Sequence, residues 1–198
     1  RVSNCILPRE PQSPTLTNMN QKPRVLIFSL AYLPFMGGAE YEIREVTDRL
    51  GDRFEFDMIT YCFDSSWPRE EKIGNINIFR VGRGRNSKEY YGRPLAKNVF
   101  VFQAVWKAVQ LHRQRGYCLT WAMMAAYAGM AGLFFKWLRP KIPFLLTLEE
   151  GDSEEHILNR VGVFYPLWSK IFQKADYIQA ESNFLAGFGR RHGAKAPV

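Results

Sequence analysis

The fold class is decided by the segment Arg24-Val-Leu-Ile-Phe-Ser-Leu30, the loop Ala31-Tyr-Leu-Pro-Phe-Met-Gly-Gly38 and a helical pattern that runs to about Leu50. The first segment is a short, partly branched apolar run, which is typical of a strand covered on both faces. Further strand-like runs lie at 54–61, 75–81, 117–122, 143–148 and 176–180. Since helical patterns separate most of these runs, we predict an α/β fold, a Rossmann-like doubly wound sheet of parallel strands.

Four helical patterns follow the first one, at about 98–115, 125–138, 162–175 and after Ser182, which is a candidate N-cap. In the pattern at 98–115, four apolar residues are predicted to face the sheet. They are Val99, Phe102, Trp106 and Val109. In the pattern at 162–175, Phe164 and Trp168 are placed on the buried side.

Length and composition favour one globular domain. The chain has 198 residues, of which 46% are apolar and 23% charged, and this balance excludes wholesale disorder. Its mean hydropathy of −0.26 argues against a polytopic membrane protein. Residues 1–22 are rich in proline and lack an apolar period, so we expect a flexible tail there and one domain over 23–198.

The positive charge is concentrated in one segment. Residues 80–115 hold 9 basic and 1 acidic residues, a net +8 that equals the net charge of the whole chain. Arg80, Arg83, Arg85 and Lys88 fall in a predicted loop at the carboxyl end of a strand, where they would contact an anionic acceptor or an anionic membrane. The alternative is a solvated loop. No nucleic-acid partner is expected, because no recognised motif for one accompanies the charges.

The cysteines show no metal-binding or disulfide pattern. Cys5, Cys62 and Cys118 are an odd number at no metal spacing, so they are interpreted as reduced thiols of a cytoplasmic protein. His156 also fits no standard metal site. We therefore expect no metal ion.

Ligands of doubly wound sheets bind beyond the carboxyl ends of the strands. Gly37 and Gly38 lie there at the start of the first helix, where free amides and the helix dipole favour an anion. A tight turn is the alternative interpretation. The glycines are not a dinucleotide fingerprint, because the loop before Gly38 is too long.

An acidic loop follows the fifth predicted strand, with five carboxylates between positions 149 and 155. Glu149 and Glu150 come first, and they are candidates to hydrogen-bond sugar hydroxyls or to act as a base. The alternative is a charged surface loop whose acids cap the next helix.

Together these segments resemble the N-terminal half of family 4 glycosyltransferases of the GT-B fold. The resemblance rests on Pro34 and the helix start Gly37-Gly38-Ala39-Glu40, on the segments 117–132 and 143–151, on Lys174-Ala-Asp-Tyr-Ile-Gln-Ala-Glu-Ser182, and on 193–198. It covers about residues 23–198. One departure is that many members carry a histidine where Glu149 and Glu150 stand.

The resemblance implies the acceptor-side domain of a retaining transferase that uses a nucleotide-sugar donor and is inactive without its C-terminal donor domain, which this chain lacks. Gly37 and Gly38 would face the donor diphosphate, and Glu149 or Glu150 would contact the donor or the acceptor. The acceptor would be a sugar, a lipid-linked molecule or a phosphate-bearing molecule. The protein would work in the cytoplasm, with the inner face of the membrane as the alternative location. Two alternatives are a nucleotide-binding oxidoreductase or epimerase and a non-catalytic module that binds anions or membranes.

Overall fold

The computed structural model describes residues 22–84 and 94–198, with the backbone alone at 94–96. The predicted tail therefore lies outside the described residues except for Lys22. The strands are β1 (Arg24–Phe28), β2 (Glu55–Tyr61), β3 (Glu70–Ile73), β4 (Ile76–Val81), β5 (Leu119–Met123), β6 (Phe144–Leu148) and β7 (Tyr177–Ala180).

All seven strands form one sheet in the order β3-β4-β2-β1-β5-β6-β7. Six of them are parallel, which confirms the predicted doubly wound sheet, and β3 is antiparallel to β4. The sequence order reverses on either side of β1, which pairs with both β2 and β5, so a crevice is expected at the carboxyl ends of β1 and β5. Strand β3 was not predicted, because its sequence Glu-Glu-Lys-Ile has no apolar alternation.

The helices are α1 (Gly38–Leu50), α2 (Pro94–Arg115), α3 (Tyr127–Leu138), α4 (Glu154–Val161), α5 (Tyr165–Lys174) and α6 (Asn183–Arg191). The helix predicted at 162–175 is a short 3-10 turn followed by α5, and Phe164 in that turn is exposed rather than buried. Helix α4 was missed because its acidic first turn was interpreted as loop. The Ser182 cap is confirmed, since its hydroxyl accepts a hydrogen bond from the Leu185 amide at 3.2 Å.

Two apolar layers cover the sheet. One lies between the sheet and α2, α3 and α5, and the other lies between the sheet and α1.

The predicted inner face of α2 is wrong. The residues of α2 that are buried against the sheet are Phe100, Val101, Ala104, Ala108 and Leu111, whereas Val99, Phe102 and Trp106 face outward and Val109 is partly buried.

A buried polar network ties the amino ends of the strands together. The fully buried carboxylate of Asp57 on β2 accepts hydrogen bonds from Arg115 at 3.0 Å, the Tyr117 hydroxyl at 2.8 Å and Asn77 at 2.8 Å. Burial beside this carboxylate raises the pKa of Tyr117. The network therefore joins β2, β4 and the turn between α2 and β5 at the edge opposite the predicted crevice.

Among the described residues, no helix is both long enough and apolar enough to cross a lipid bilayer.

Candidate functional site

Two predicted site residues meet at the carboxyl edge of the sheet. Gly38 begins α1, which follows β1, and Glu149 is the first residue after β6. A methyl group placed on Gly38 would lie 4.0 Å from Oε1 of Glu149. The fold thus brings the start of α1 and the acidic loop together, as the predicted topology requires.

Glu149 lies in a cluster of three carboxylates. One oxygen each of Glu42 on α1, Glu149 and Glu181 lies within 4.8 Å of the others. Glu42 Oε1 accepts a hydrogen bond from Gln179 Nε2 at 2.6 Å. The Oε2 atoms of Glu42 and Glu149 are buried without a donor among the described residues, so a proton or a cation would satisfy them.

The cluster favours the protonated form of Glu149. Burial, followed by the hydrogen bonds and the repulsion from Glu181 and Glu42, raises the pKa of Glu149 to about 9. At neutral pH its carboxyl group therefore carries a proton and can donate a hydrogen bond. A carboxylic acid of this kind is compatible with a phosphate or a sugar hydroxyl at the start of α1, where an ionised carboxylate would repel the phosphate.

The two glycines differ in what their amides can bind. Gly37 is the N-cap of α1, and its N–H donates to Oε2 of Glu40 at 2.7 Å. The amides of the first helical turn, starting at Gly38, have no partner within the helix. An anion at this terminus would therefore be held by the amides from Gly38 onward, while that of Gly37 is already bonded.

Glu150 faces a different part of the rim. Its Oε1 accepts a hydrogen bond from the Ala125 amide at 2.5 Å, in the turn between β5 and α3. The carbonyl of Ala125 also accepts a hydrogen bond from the Trp168 indole. Burial raises the pKa of Glu150. The structure thus shows Glu150 holding the turn after β5. In that turn Met124, the residue before Ala125, has a left-handed backbone with φ of 68°.

The predicted anion-binding loop is only partly described. Arg80 is not available to an acceptor or a membrane, because its side chain is 2% exposed, pairs with Glu71 and donates to the carbonyls of Leu33 and Pro68. That part of the prediction is wrong: the last but one residue of β4 packs under the neighbouring loops. Arg83 is exposed. Arg85 and Lys88 lie outside the described residues.

The structure gives His156 and the cysteines no part in the carboxylate cluster. The His156 amide donates to the Ser153 hydroxyl at the start of α4. Its side chain is exposed, and it is not a member of the carboxylate cluster found among the described residues. Cys62 and Cys118 are free thiols, one buried and one exposed.

Sequence reasoning missed Glu42 and gave Glu181 no role. A signal for Glu42 exists, since it lies four residues after Gly38 and hence on the same side of α1. The corresponding signal for Glu181 is its position directly after β7, at the same edge as Glu149.

Comparisons with known proteins bear on the fold and on what the chain is similar to. No protein-family model matches the chain. An uncharacterized glycosyltransferase from Methanocaldococcus jannaschii is 26% identical to it over 187 residues, which cover 85% of this chain and 44% of that protein. The chain therefore spans less than half the length of this curated relative.

Two solved structures share the fold. Sucrose-phosphate synthase from Thermosynechococcus elongatus superposes with a TM-score of 0.67 at 17% identity, over 88% of this chain and 46% of that one. Anabaena HepE in complex with UDP-glucose superposes with a TM-score of 0.57 at 16% identity, over 87% of this chain and 41% of that one. The chain is thus similar to part of a glycosyltransferase, and it has the Rossmann-like fold of one half of the GT-B proteins.

Proposed function

We propose that this chain is the acceptor-side half of a family 4 glycosyltransferase, which transfers a hexosyl group from a nucleotide-sugar to an acceptor with retention of configuration. One observation carries the proposal: the start of α1 at Gly38 lies beside the carboxyl group of Glu149 at the carboxyl edge of the sheet. This is the edge at which doubly wound sheets bind their ligands.

In this proposal the donor diphosphate lies against the first turn of α1. The amides from Gly38 onward and the dipole of α1 stabilise the negative charge that develops as the nucleotide leaves. Glu149 donates a hydrogen bond to a phosphate oxygen or to a sugar hydroxyl, and Glu150 keeps the rim after β5 in place. HepE was solved with UDP-glucose, which supports a nucleotide-sugar as the donor.

The acceptor in this proposal bears a sugar or a phosphate. The similarity to sucrose-phosphate synthase supports a sugar-phosphate type of acceptor. The reaction requires a second, donor-binding domain, and no resident cofactor or metal ion takes part. The two free cysteines fit a reducing, cytoplasmic location.

The test compares the 198-residue chain with a protein in which it is joined to a GT-B donor domain. We expect the chain alone to unfold cooperatively and to release no UDP from UDP-glucose. The joined protein should release UDP only when an acceptor is present, and NMR should show the donor's anomeric configuration in the product. Sugar transfer by the chain alone, or an inverted product, would contradict the proposal.

A further inference from the structure

Helices α2 and α3 present apolar side chains to solvent on the side facing away from the sheet. This aromatic face consists of Val99, Phe102, Trp106, Phe134, Trp137 and Leu138. Phe102 is 68% exposed and Trp106 is 69% exposed. The ring of Phe134 lies 6.2 Å from that of Phe102 and 5.5 Å from that of Trp137, so the aromatic face runs without interruption from one helix to the other.

The aromatic face is separate from the apolar residues that hold α2 in the fold. Positions 99, 102 and 106 follow the helical repeat and form one stripe. The sheet-facing stripe of α2 is already buried. The exposed stripe therefore contributes nothing to the core, and single exposed apolar residues are common on proteins whereas a contiguous patch of large aromatic ones indicates a binding surface.

The segment that carries the aromatic face has basic residues and no acidic ones. The sequence from Pro94 to Leu148 contains no aspartate or glutamate and has seven lysines and arginines. Three of these are used inside the fold, since Lys107 pairs with Glu70, Lys136 with Asp176 and Arg115 with Asp57.

Two of the other cations are free to bind a ligand. Arg113 and Lys141 are exposed, and neither forms an ion pair with any described residue. Arg113 follows Trp106 by seven residues and so lies two turns along the same stripe. Lys141 comes three residues after the end of α3, beside Leu138.

We propose that the aromatic face docks on the surface of an anionic lipid membrane. Exposed tryptophan and phenylalanine side chains enter the boundary between headgroups and acyl chains, and lysine and arginine beside them pair with anionic headgroups. A second copy of the chain fits less well, because a symmetric contact through this face would bring the positive ends of α2 and α3 against each other without any carboxylate from the same segment.

The docked orientation leaves the candidate site accessible. Helix α2 begins on the chain after β4, at the carboxyl edge of the sheet where Gly38 and Glu149 lie. A bilayer along α2 and α3 would thus run beside the crevice. Docking does not depend on the proposed function, since lipid binding requires neither donor nor acceptor.

The experiment is co-sedimentation of the 198-residue chain with vesicles of phosphatidylcholine alone and with added phosphatidylserine, at low and high salt. We expect binding to the anionic vesicles that weakens with salt. Arg113→Gln together with Lys141→Gln should weaken it by up to about thirty-fold, since each charge near an anionic surface is worth about 1 kcal/mol. Phe102→Gln together with Trp106→Gln should reduce binding even at low salt.

Matched controls separate the aromatic face from general effects. Phe164→Gln removes an equally exposed phenylalanine elsewhere, and Lys174→Gln with Lys195→Gln removes two exposed charges elsewhere. These variants should bind as the unchanged chain does, and thermal melts should show that all variants are folded. The proposal is overturned if anionic and neutral vesicles bind equally, if the controls lose as much binding, or if the face variants instead abolish a dimer seen by ultracentrifugation while vesicle binding is absent.

Discussion

Gly38 lies where a side chain would enter the space beside Glu149, so its replacement tests the proposed phosphate position. In the protein that contains both halves, Gly38→Val should lower kcat/KM by about 100-fold or more, because the valine side chain would hold the phosphate away from the backbone amide, and loss of one oriented donor costs on the order of 2.7–4 kcal/mol. The melting temperature should not fall, since valine is a better helix residue than glycine. Gly151→Val is the control, because Gly151 lies on the same rim in open space. Equal kinetics in both variants would make Gly38 a turn residue only.

The protonated state of Glu149 predicts a pH-dependent stability. The pKa of Glu149 is raised from 4.5 to about 9, so between these values the folded chain holds a proton that the unfolded chain has released. The free energy of unfolding therefore falls as the pH rises through this window. Glu149→Gln does not titrate, and its melting temperature relative to the unchanged chain should increase from pH 4.5 to 9 and then level off.

A chain of this size changes its melting temperature by about 2–4 °C for each kcal/mol. Glu155→Gln, an exposed carboxylate of the same loop and helix, should show no such trend. If the difference in melting temperature between Glu149→Gln and the unchanged chain were the same at every pH, the pKa of Glu149 would not be raised in the folded chain.

The proximity of Gly38 and Glu149 could be predicted because both follow strand ends, and parallel topology brings strand ends together. Glu42 could not be found in the same way. It lies inside a helix whose exposed face is charged, and only the packing of α1 against the sheet turns it toward Glu149 and Glu181.

The turn after β5 depends on a contact from another element. Glu150→Ala would leave the Ala125 amide unpaired in a partly buried position, which should lower the free energy of unfolding by about 1–3 kcal/mol. Glu150→Gln keeps an oxygen acceptor and should cost less. Amide hydrogen exchange of the segment 124–128 measures the effect directly, and Glu155→Ala serves as the control. Unchanged exchange in Glu150→Ala would show that Trp168 holds the turn alone.

The sequence of helix α2 does not determine which side of the helix faces the sheet. Both of its long sides carry large apolar residues at helical spacing, so the period predicts a helix but does not select the inner side. The small residues Ala104 and Ala108 mark the side that packs closely on the sheet. The exposed side was chosen as the core because it contains the larger aromatic residues, and those residues have another use in the proposed docking.

The buried network around Asp57, at the edge opposite the site, is expected to stabilise the fold. Asp57→Ala would leave Arg115 and Tyr117 without their buried partner, and breaking such a pair costs about 3–5 kcal/mol. The melting temperature should fall by about 6–20 °C. Asp52→Ala, at an exposed acid in the loop before β2, should change it little. Vesicle binding of the folded variant should be unaffected, because the network lies at the amino edge of the sheet and includes no residue of the aromatic face. A small loss of stability would mean that the network contributes little.

The overall topology could be predicted because alternating strands and helices leave few ways to arrange a parallel sheet. The order β4-β2-β1-β5-β6-β7 of the six parallel strands is the one that right-handed crossovers on both sides of β1 produce. The hairpin partner β3 was not predicted, although Gly74 and Asn75 form the two-residue turn typical of a hairpin, because its charged sequence has no apolar alternation and its ion pair with β4 forms only in the folded chain.

Strand β3 also affects whether the edge of this sheet can pair with a strand of another molecule. Parallel sheets end in rows of free backbone amides and carbonyls that can recruit a strand from another molecule. Here the outermost strand is four residues long and carries Glu70, Glu71 and Lys72. An incoming strand would have to strip water from these charges and compete with the pairs to Lys107 and Arg80. The three consecutive charged residues of this edge strand therefore disfavour growth of the sheet into fibrils or aggregates on this side.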